Sequence, residues 1–196
     1  MIATRVARST MACSLAVSAT LACGRSDTRT SGVAQASVMD LADARAGASA
    51  PTKVNQFLSY DAATKTVNLK VFAAFNSQQG GFNFNGGSNG SQAITVPAGW
   101  TVNADVVNKD AIPHSAIVIA DKSPIPNAPD KPAIERAYTA HLTDGLAPQN
   151  GEDTMNFKAE PAGNYLIACG VPGHAPSGMF IKFVVSATAA APTYAM

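Results

Sequence analysis

The chain has 196 residues, of which 46 % are hydrophobic and only 14 % are charged, and its formal net charge is +1. This length accommodates one domain of about 100–150 residues together with terminal segments. Nucleic-acid binding depends on clustered lysines and arginines, and the near-neutral chain has no such cluster, so its composition argues against a nucleic-acid partner. The charged fraction lies below the usual value of about 25 %, which favours docking over charge steering.

The N-terminal part has the pattern of a targeting signal followed by a linker, not that of a folded domain. In residues 1–22, two arginines precede a short apolar run, as in an export signal. Cys23 follows the sequence Thr-Leu-Ala, which is similar to the lipobox of bacterial lipoproteins, so lipidation of Cys23 competes with ordinary signal cleavage. Residues 23–50 are rich in Ala, Ser and Gly and are predicted to form a flexible tether. We therefore expect an exported protein, periplasmic or at the outer face of the cytoplasmic membrane, whose only membrane attachment would be a lipid if Cys23 is acylated.

From about residue 51 the pattern becomes typical of β-strands. Alternating apolar residues predict half-buried strands at 67–75 and 100–108, with Trp100 in the core. The Gly/Asn-rich segment 76–91 between them allows two interpretations. The simpler one is a long hairpin with a mobile tip, and the other is a loop that shapes the rim of a site.

The second half of the domain continues the strand pattern around a long interruption. A buried strand is predicted at 116–120, and residues 121–153 form a proline-rich and polar excursion. Further strands are predicted near 155–157, 165–169 and 179–185, while the Ala-rich residues 188–196 are predicted to fray. Many short strands without a long helical period indicate an all-β sandwich with long loops, and we place this domain at 51–187.

Three residues with metal-binding side chains lie on one loop between the last two predicted strands. Cys169, His174 and Met179 follow one another at intervals of five positions, among glycines and prolines that favour turns. Two histidines and a cysteine in a plane, with a weak axial methionine, suit copper that alternates between Cu(I) and Cu(II). A second histidine is therefore needed, and His114 and His141 are the remaining candidates. His114 precedes a buried strand, whereas His141 lies in a polar stretch and is interpreted as an exposed loop residue.

The cysteine count supports a metal site. If the signal is removed and Cys23 is cleaved off or acylated, Cys169 is the one thiol left in the domain. An unpaired cysteine in an exported protein needs a reason, and metal ligation provides one.

The residues around this loop resemble a known family. The strand GNYLIAC at 163–169 is similar to the Gly-x-Tyr-x-aromatic-x-Cys strand of the cupredoxins, or blue copper proteins, although Ile167 replaces the second aromatic residue. Within that family, the loop text CGVPGHAPSGM and the run FNFNG at 82–86 resemble the sulfocyanins, with the rusticyanins as nearest relatives.

This resemblance implies a Greek-key β-sandwich and one copper ion as cofactor. It implies that copper is bound by His114, Cys169 and His174, with Met179 as the axial ligand. Ser115 occupies the position of a residue that hydrogen-bonds the loop or the thiolate in relatives, although an ordinary strand serine is the alternative.

The resemblance also implies a function. His174 would be the port through which electrons pass, inside an apolar patch formed by Pro172, Ala175, Pro176 and either Phe82 or Phe84. The expected protein is a monomeric electron carrier, not an enzyme, that docks transiently with redox partners of the cytochrome or terminal oxidase type. With three histidines in all, the chain lacks ligands for a second, catalytic copper. Copper storage or delivery is the alternative function.

Overall fold

The computed structural model describes residues 50–196. The predicted export signal, most of the predicted tether and Cys23 lie outside the described residues. In the part that is described, ten β-strands and one short 3₁₀ segment, Gln78–Gly81, make up the regular structure. The strands are β1 (Thr52–Lys53), β2 (Leu58–Asp61), β3 (Thr66–Ala73), β4 (Ala93–Pro97), β5 (Thr101–Asn108), β6 (Ile117–Ala120), β7 (Glu152–Lys158), β8 (Gly163–Ala168), β9 (Phe180–Ser186) and β10 (Thr193–Ala195).

These strands form two five-stranded sheets. The first sheet has the order β1-β2-β3-β5-β7, and the second has the order β10-β4-β9-β8-β6. Most neighbours are antiparallel, but β3 pairs with β5 and β4 pairs with β9 in parallel, because the chain crosses between sheets before it returns. The all-β sandwich predicted from the sequence is confirmed.

The core lies between the two sheets and follows from the alternation of apolar residues. In β3, Val67, Leu69 and Val71 are buried while Asn68 and Lys70 are exposed. Trp100, immediately before β5, is 8 % exposed and belongs to this core, as predicted. Burying each large apolar side chain contributes about 1.5–3 kcal/mol to stability, so this interior provides a rigid base for the loops at its ends.

The long excursion after β6 covers the outer face of the second sheet. Ile125 and Leu142 pack against a small cluster formed by Ile117, Ile119, Leu166, Ala168 and Ala175. Backbone hydrogen bonds also join the excursion to β6, since the Val118 amide donates to the carbonyl of Ala137 at 2.8 Å. Because β6 and β8 are therefore covered on both faces, their sequences read as continuous apolar runs rather than as alternating patterns.

The predicted fraying of residues 188–196 is wrong. Strand β10 pairs with β4 and extends the second sheet at its edge. The Tyr194 hydroxyl donates to Gln92 Oε1 at 2.8 Å and accepts from Asn85 Nδ2 at 3.0 Å. The two side-chain hydrogen bonds of Tyr194 thus anchor a segment whose Ala-rich sequence did not predict a strand.

Residues 76–91, here called the rim loop, do not form a hairpin, because β3 and β4 lie in different sheets. Phe84 is fully buried, and the amides of Asn83 and Asn85 are buried and hydrogen-bonded to the surrounding backbone. The interpretation as a hairpin with a mobile tip is therefore wrong.

Separately, among residues 50–196 there is no helix of the length and apolar character needed to cross a bilayer.

Candidate metal centre

Three neighbouring strands of the second sheet bring the predicted ligands together. Cys169 follows β8 and Met179 precedes β9, and residues 169–179 between them are here called the ligand loop. Since β8 and β9 are antiparallel neighbours, both ends of this loop start from the same edge, where the Cys169 amide donates to the Met179 carbonyl at 3.1 Å. His114 lies just before β6, which pairs with β8 on its other side.

The side-chain donor atoms of three predicted ligands converge. His114 Nδ1 lies 3.1 Å from His174 Nδ1, and Cys169 Sγ lies 3.5 Å from His174 Nδ1 and 3.9 Å from His114 Nδ1. Two donors that share one ion at bond lengths of about 2.0–2.3 Å can be at most about 4.6 Å apart. All three separations satisfy this limit, so a single metal ion can contact the three atoms at once.

Met179 is fully buried at the closing end of the ligand loop. Its amide donates to the His174 carbonyl at 3.1 Å, and its own carbonyl accepts from Cys169. Its backbone is thus fixed to two of the three converging residues.

Glycines allow the ligand loop to turn back on itself. Gly173 and Gly178 have positive φ angles of 84° and 99°, a region that side-chain-bearing residues rarely adopt. At Gly178 an added Cβ would lie only 2.6 Å from Asn89 Oδ1, and the Asn89 amide donates to the Gly178 carbonyl at 2.8 Å. The rim loop therefore packs directly on the backbone of the ligand loop.

Burial controls the protonation of the three donors. Cys169 and His114 are fully buried, whereas His174 is half-buried and is the one of the three that is partly exposed to solvent. Burial lowers the pKa of both histidines and raises the pKa of the Cys169 thiol. The imidazoles are therefore held neutral, with a lone pair for a metal, and the thiol needs a metal to displace its proton.

An acidic residue that the sequence analysis missed contacts the buried histidine. Asp110 Oδ2 lies 2.9 Å from His114 Nε2, on the opposite side of the ring from the other donors. This hydrogen bond to His114 lowers the pKa of Asp110 and keeps it a carboxylate. The carboxylate can only accept, so Nε2 carries the hydrogen and Nδ1 of the neutral ring is left as the metal donor. In the sequence, an acidic residue four positions before a candidate ligand does not by itself indicate this contact.

Ser115 joins three parts of the site. Its amide donates to Cys169 Sγ at 3.5 Å, and its hydroxyl lies 3.9 Å from the same sulfur. The hydroxyl also donates to the Leu142 carbonyl at 2.7 Å and accepts from the Gly170 amide at 2.9 Å. Ser115 thus fixes the start of the ligand loop to the excursion, and its main contact with sulfur is through its backbone.

One residue of the predicted apolar patch around His174 is wrong, and the open choice between Phe82 and Phe84 is resolved. Phe82 packs on it, with ring centroids 4.8 Å apart, and Pro172 and Pro176 are exposed nearby on the ligand loop. Ala175 is fully buried, because it packs into the apolar cluster on the outer face of the second sheet, and so cannot belong to an exposed patch. Phe84 is also fully buried, because its side chain turns into the core.

The rim loop therefore shapes the site through Phe82, which is the second of the two interpretations of residues 76–91. Gln79 Nε2 also reaches across from this loop to the Ser177 carbonyl at 3.2 Å. His141, in contrast, is exposed, as predicted, and lies outside the cluster of donors.

A family model described as the Sulfocyanin (SoxE) domain matches residues 51–196 of this chain. The chain belongs to the sulfocyanin family. A curated sulfocyanin from Sulfolobus acidocaldarius is 32 % identical over 140 residues, which cover 68 % of this chain and 70 % of that protein. The resemblance to sulfocyanins stated from the sequence is confirmed.

A solved structure agrees with the fold of this sulfocyanin-family chain. A crystal structure of a rusticyanin variant superposes with a TM-score of 0.51 at 23 % identity, covering 76 % of this chain and 94 % of the rusticyanin chain. Another rusticyanin variant gives a TM-score of 0.49 at 25 % identity, covering 69 % and 86 % of the two chains. The chain is thus a cupredoxin, a blue copper electron-transfer protein whose cofactor is one copper ion. Proteins of this kind are electron carriers rather than enzymes.

Proposed function

We propose that this protein carries single electrons between respiratory partners outside the cytoplasm. The copper ion would be bound by Nδ1 of His114 and His174 and by Sγ of Cys169, with Met179 as a weak axial ligand. The convergence of these three donor atoms within 3.9 Å of one another carries the proposal. When bound, copper supplies the exchange of one electron between Cu(I) and Cu(II).

The protein part of the site is suited to this exchange because the donors are held in place without the metal. The Asp110 contact orients the ring of His114, and the hydroxyl of Ser115 binds the amide that follows Cys169. Buried and hydrogen-bonded side chains cannot adjust freely to a change of oxidation state. Little reorganisation would then accompany each electron transfer.

His174 would be the electron port. It is the half-buried member of the donor set, and Phe82, Pro172 and Pro176 provide apolar surface around it. Such a small apolar patch suits brief docking, since weak redox encounters use small interfaces. We propose transient partners of the cytochrome or terminal oxidase type, and a monomeric carrier.

The proposed location rests on the sequence. Residues 1–22 have the pattern of an export signal, and Cys23 is the candidate for a lipid anchor. A periplasmic protein, or one held at the outer face of the cytoplasmic membrane, would meet respiratory partners there. Mass spectrometry of the mature protein would show whether Cys23 is its acylated N-terminus.

Spectroscopy tests the copper site. Addition of one equivalent of Cu(II) should give an intense blue colour and narrow copper hyperfine splitting in the electron paramagnetic resonance spectrum, both reversibly bleached by ascorbate. Cys169→Ala and His114→Ala should each abolish the blue site and leave a folded sandwich, while the exposed control His141→Ala should keep it. A blue spectrum that survives either ligand substitution would contradict the proposed ligands. Colourless Cu(II) in the unmodified protein would favour storage or delivery of copper.

A further inference from the structure

We propose that Asp110 is a positioning residue for the copper ligand His114, and that its carboxylate lowers the reduction potential of the copper. This inference rests on the proposed function, because it concerns the same copper ion. Asp110 lies in the turn between β5 and β6, outside both the ligand loop and the rim loop. It is an acidic side chain whose contact with the site was not visible from its sequence context.

The first step is that the carboxylate of Asp110 is itself held in place. Its Oδ1 accepts from the Ala111 amide at 2.7 Å, which leaves Oδ2 to face His114 Nε2 at 2.9 Å. The backbone of Asp110 is fixed as well, since its amide donates to Asn108 Oδ1 at 2.9 Å and its carbonyl accepts from Gln149 at 2.8 Å. A fixed acceptor determines both the rotation and the tautomer of the imidazole that it binds.

The second step is that the rim loop closes over this contact. Gly81 has a φ angle of 93°, and a Cβ added there would lie 2.9 Å from Asp110 Oδ2. The next residue, Phe82, packs its ring edge-on against His114 at 6.3 Å between centroids. The Asp110 side chain is 25 % exposed and that of His114 is fully buried, so water screens the carboxylate only from one side.

The third step concerns charge. Among the described residues, no lysine or arginine lies within salt-bridge distance of Asp110, and its partner is the neutral ring of His114, which donates a hydrogen bond but carries no charge. A carboxylate bound to Nε2–H makes Nδ1 a stronger donor, and its uncompensated charge favours the more positive Cu(II) over Cu(I). Both effects lower the reduction potential.

Two substitutions separate these effects. Asp110→Asn removes the charge but retains an oxygen that can accept from Nε2–H, whereas Asp110→Ala removes both. Asp130→Asn is the matched control, because Asp130 is an exposed carboxylate on the excursion and carries the same charge. The potentials of all copper-loaded proteins would be measured by spectroelectrochemical titration, together with their electron paramagnetic resonance spectra.

In Asp110→Asn the ratio of Cu(I) to Cu(II) at a fixed ambient potential should rise about tenfold, which corresponds to 59 mV for a one-electron couple. The control should change this ratio by less than about twofold, because an exposed charge is screened. In Asp110→Ala the hyperfine splitting should change in addition, since the ring of His114 is no longer fixed. An Asp110→Asn protein that matches Asp130→Asn would overturn the proposed effect on the potential.

A measurement on the metal-free protein keeps this inference separate from the proposed function. Nitrogen-15 NMR of the histidine rings should show His114 protonated at Nε2 in the unmodified protein and a mixture of tautomers in Asp110→Ala. Equal tautomer populations in the two proteins would refute the positioning role. An unmodified protein that shows the Nε2 tautomer but no blue copper would instead refute the proposed function alone.

Discussion

Replacement of Ser115 by alanine should destabilise the domain more than an ordinary surface substitution does. The hydroxyl is fully buried and makes two short hydrogen bonds, to the Gly170 amide and to the Leu142 carbonyl. Without it, the buried Gly170 donor has no partner, which costs about 1–3 kcal/mol. The bond to Leu142 is only partly buried, and its loss costs about 0.5–1.5 kcal/mol. We therefore expect the free energy of unfolding to fall by about 1.5–4.5 kcal/mol.

Urea unfolding of the metal-free protein measures this loss. With a denaturant slope of about 1–3 kcal/mol/M, the midpoint should move down by about 0.5 M or more. Ser177→Ala is the control, because the Ser177 hydroxyl bonds the Gly173 carbonyl on the same loop but is exposed to solvent, and it should change stability by less than about 0.5 kcal/mol. The blue colour should persist in Ser115→Ala, since the backbone amide of this residue still faces Cys169 Sγ. Equal midpoints for the two serine variants would refute the anchoring role of Ser115.

Two further outcomes are expected. Met179→Leu should retain blue copper but raise the reduction potential, because a weak donor to Cu(II) is lost; an unchanged or lowered potential in voltammetry would show that Met179 is not axial. Burial raises the pKa of Tyr194 from 10.0 to about 12, so the folded state favours its neutral form. This preference stabilises the folded protein below about pH 10, and the stabilisation is lost as the pH rises through 12. Tyr194→Phe removes the titrating hydroxyl, so its free energy of unfolding should fall less than that of the unmodified protein between about pH 8 and 12. Unfolding measured across this pH range checks the prediction.

The sequence predicted those parts of the site that depend on short-range order. Cys169, His174 and Met179 lie on one loop between two apolar strands, so their spacing, together with the turn-forming residues between them, indicated a shared metal. The choice between His114 and His141 was settled in the sequence analysis by family resemblance, and the geometry agrees, because the ring of His141 is exposed. The strands β3 and β5 were predicted closely since each alternates between a buried and an exposed face.

The errors concern contacts between distant segments. Ala175 was expected at the surface because the family resemblance places it in the patch around His174, but an apolar cluster contributed by β6, β8 and the excursion buries it. The order of β10 depends on Tyr194 meeting Asn85 and Gln92, about 100 positions earlier in the chain. The contact of Asp110 with His114 depends on how the turn after β5 folds, and no local pattern encodes that turn.

The two sheets contribute differently to the site, and this has an evolutionary consequence. His114, Cys169, His174 and Met179 all extend from β6, β8 and β9 of one sheet, whereas Asp110 and Phe82 arrive on loops that follow strands of the other. Substitutions at Asp110 or Phe82 leave all four predicted ligand residues in the chain, so the surroundings of the site can vary separately from its ligands. Selection can therefore change the surroundings of the site while its ligand residues stay constant.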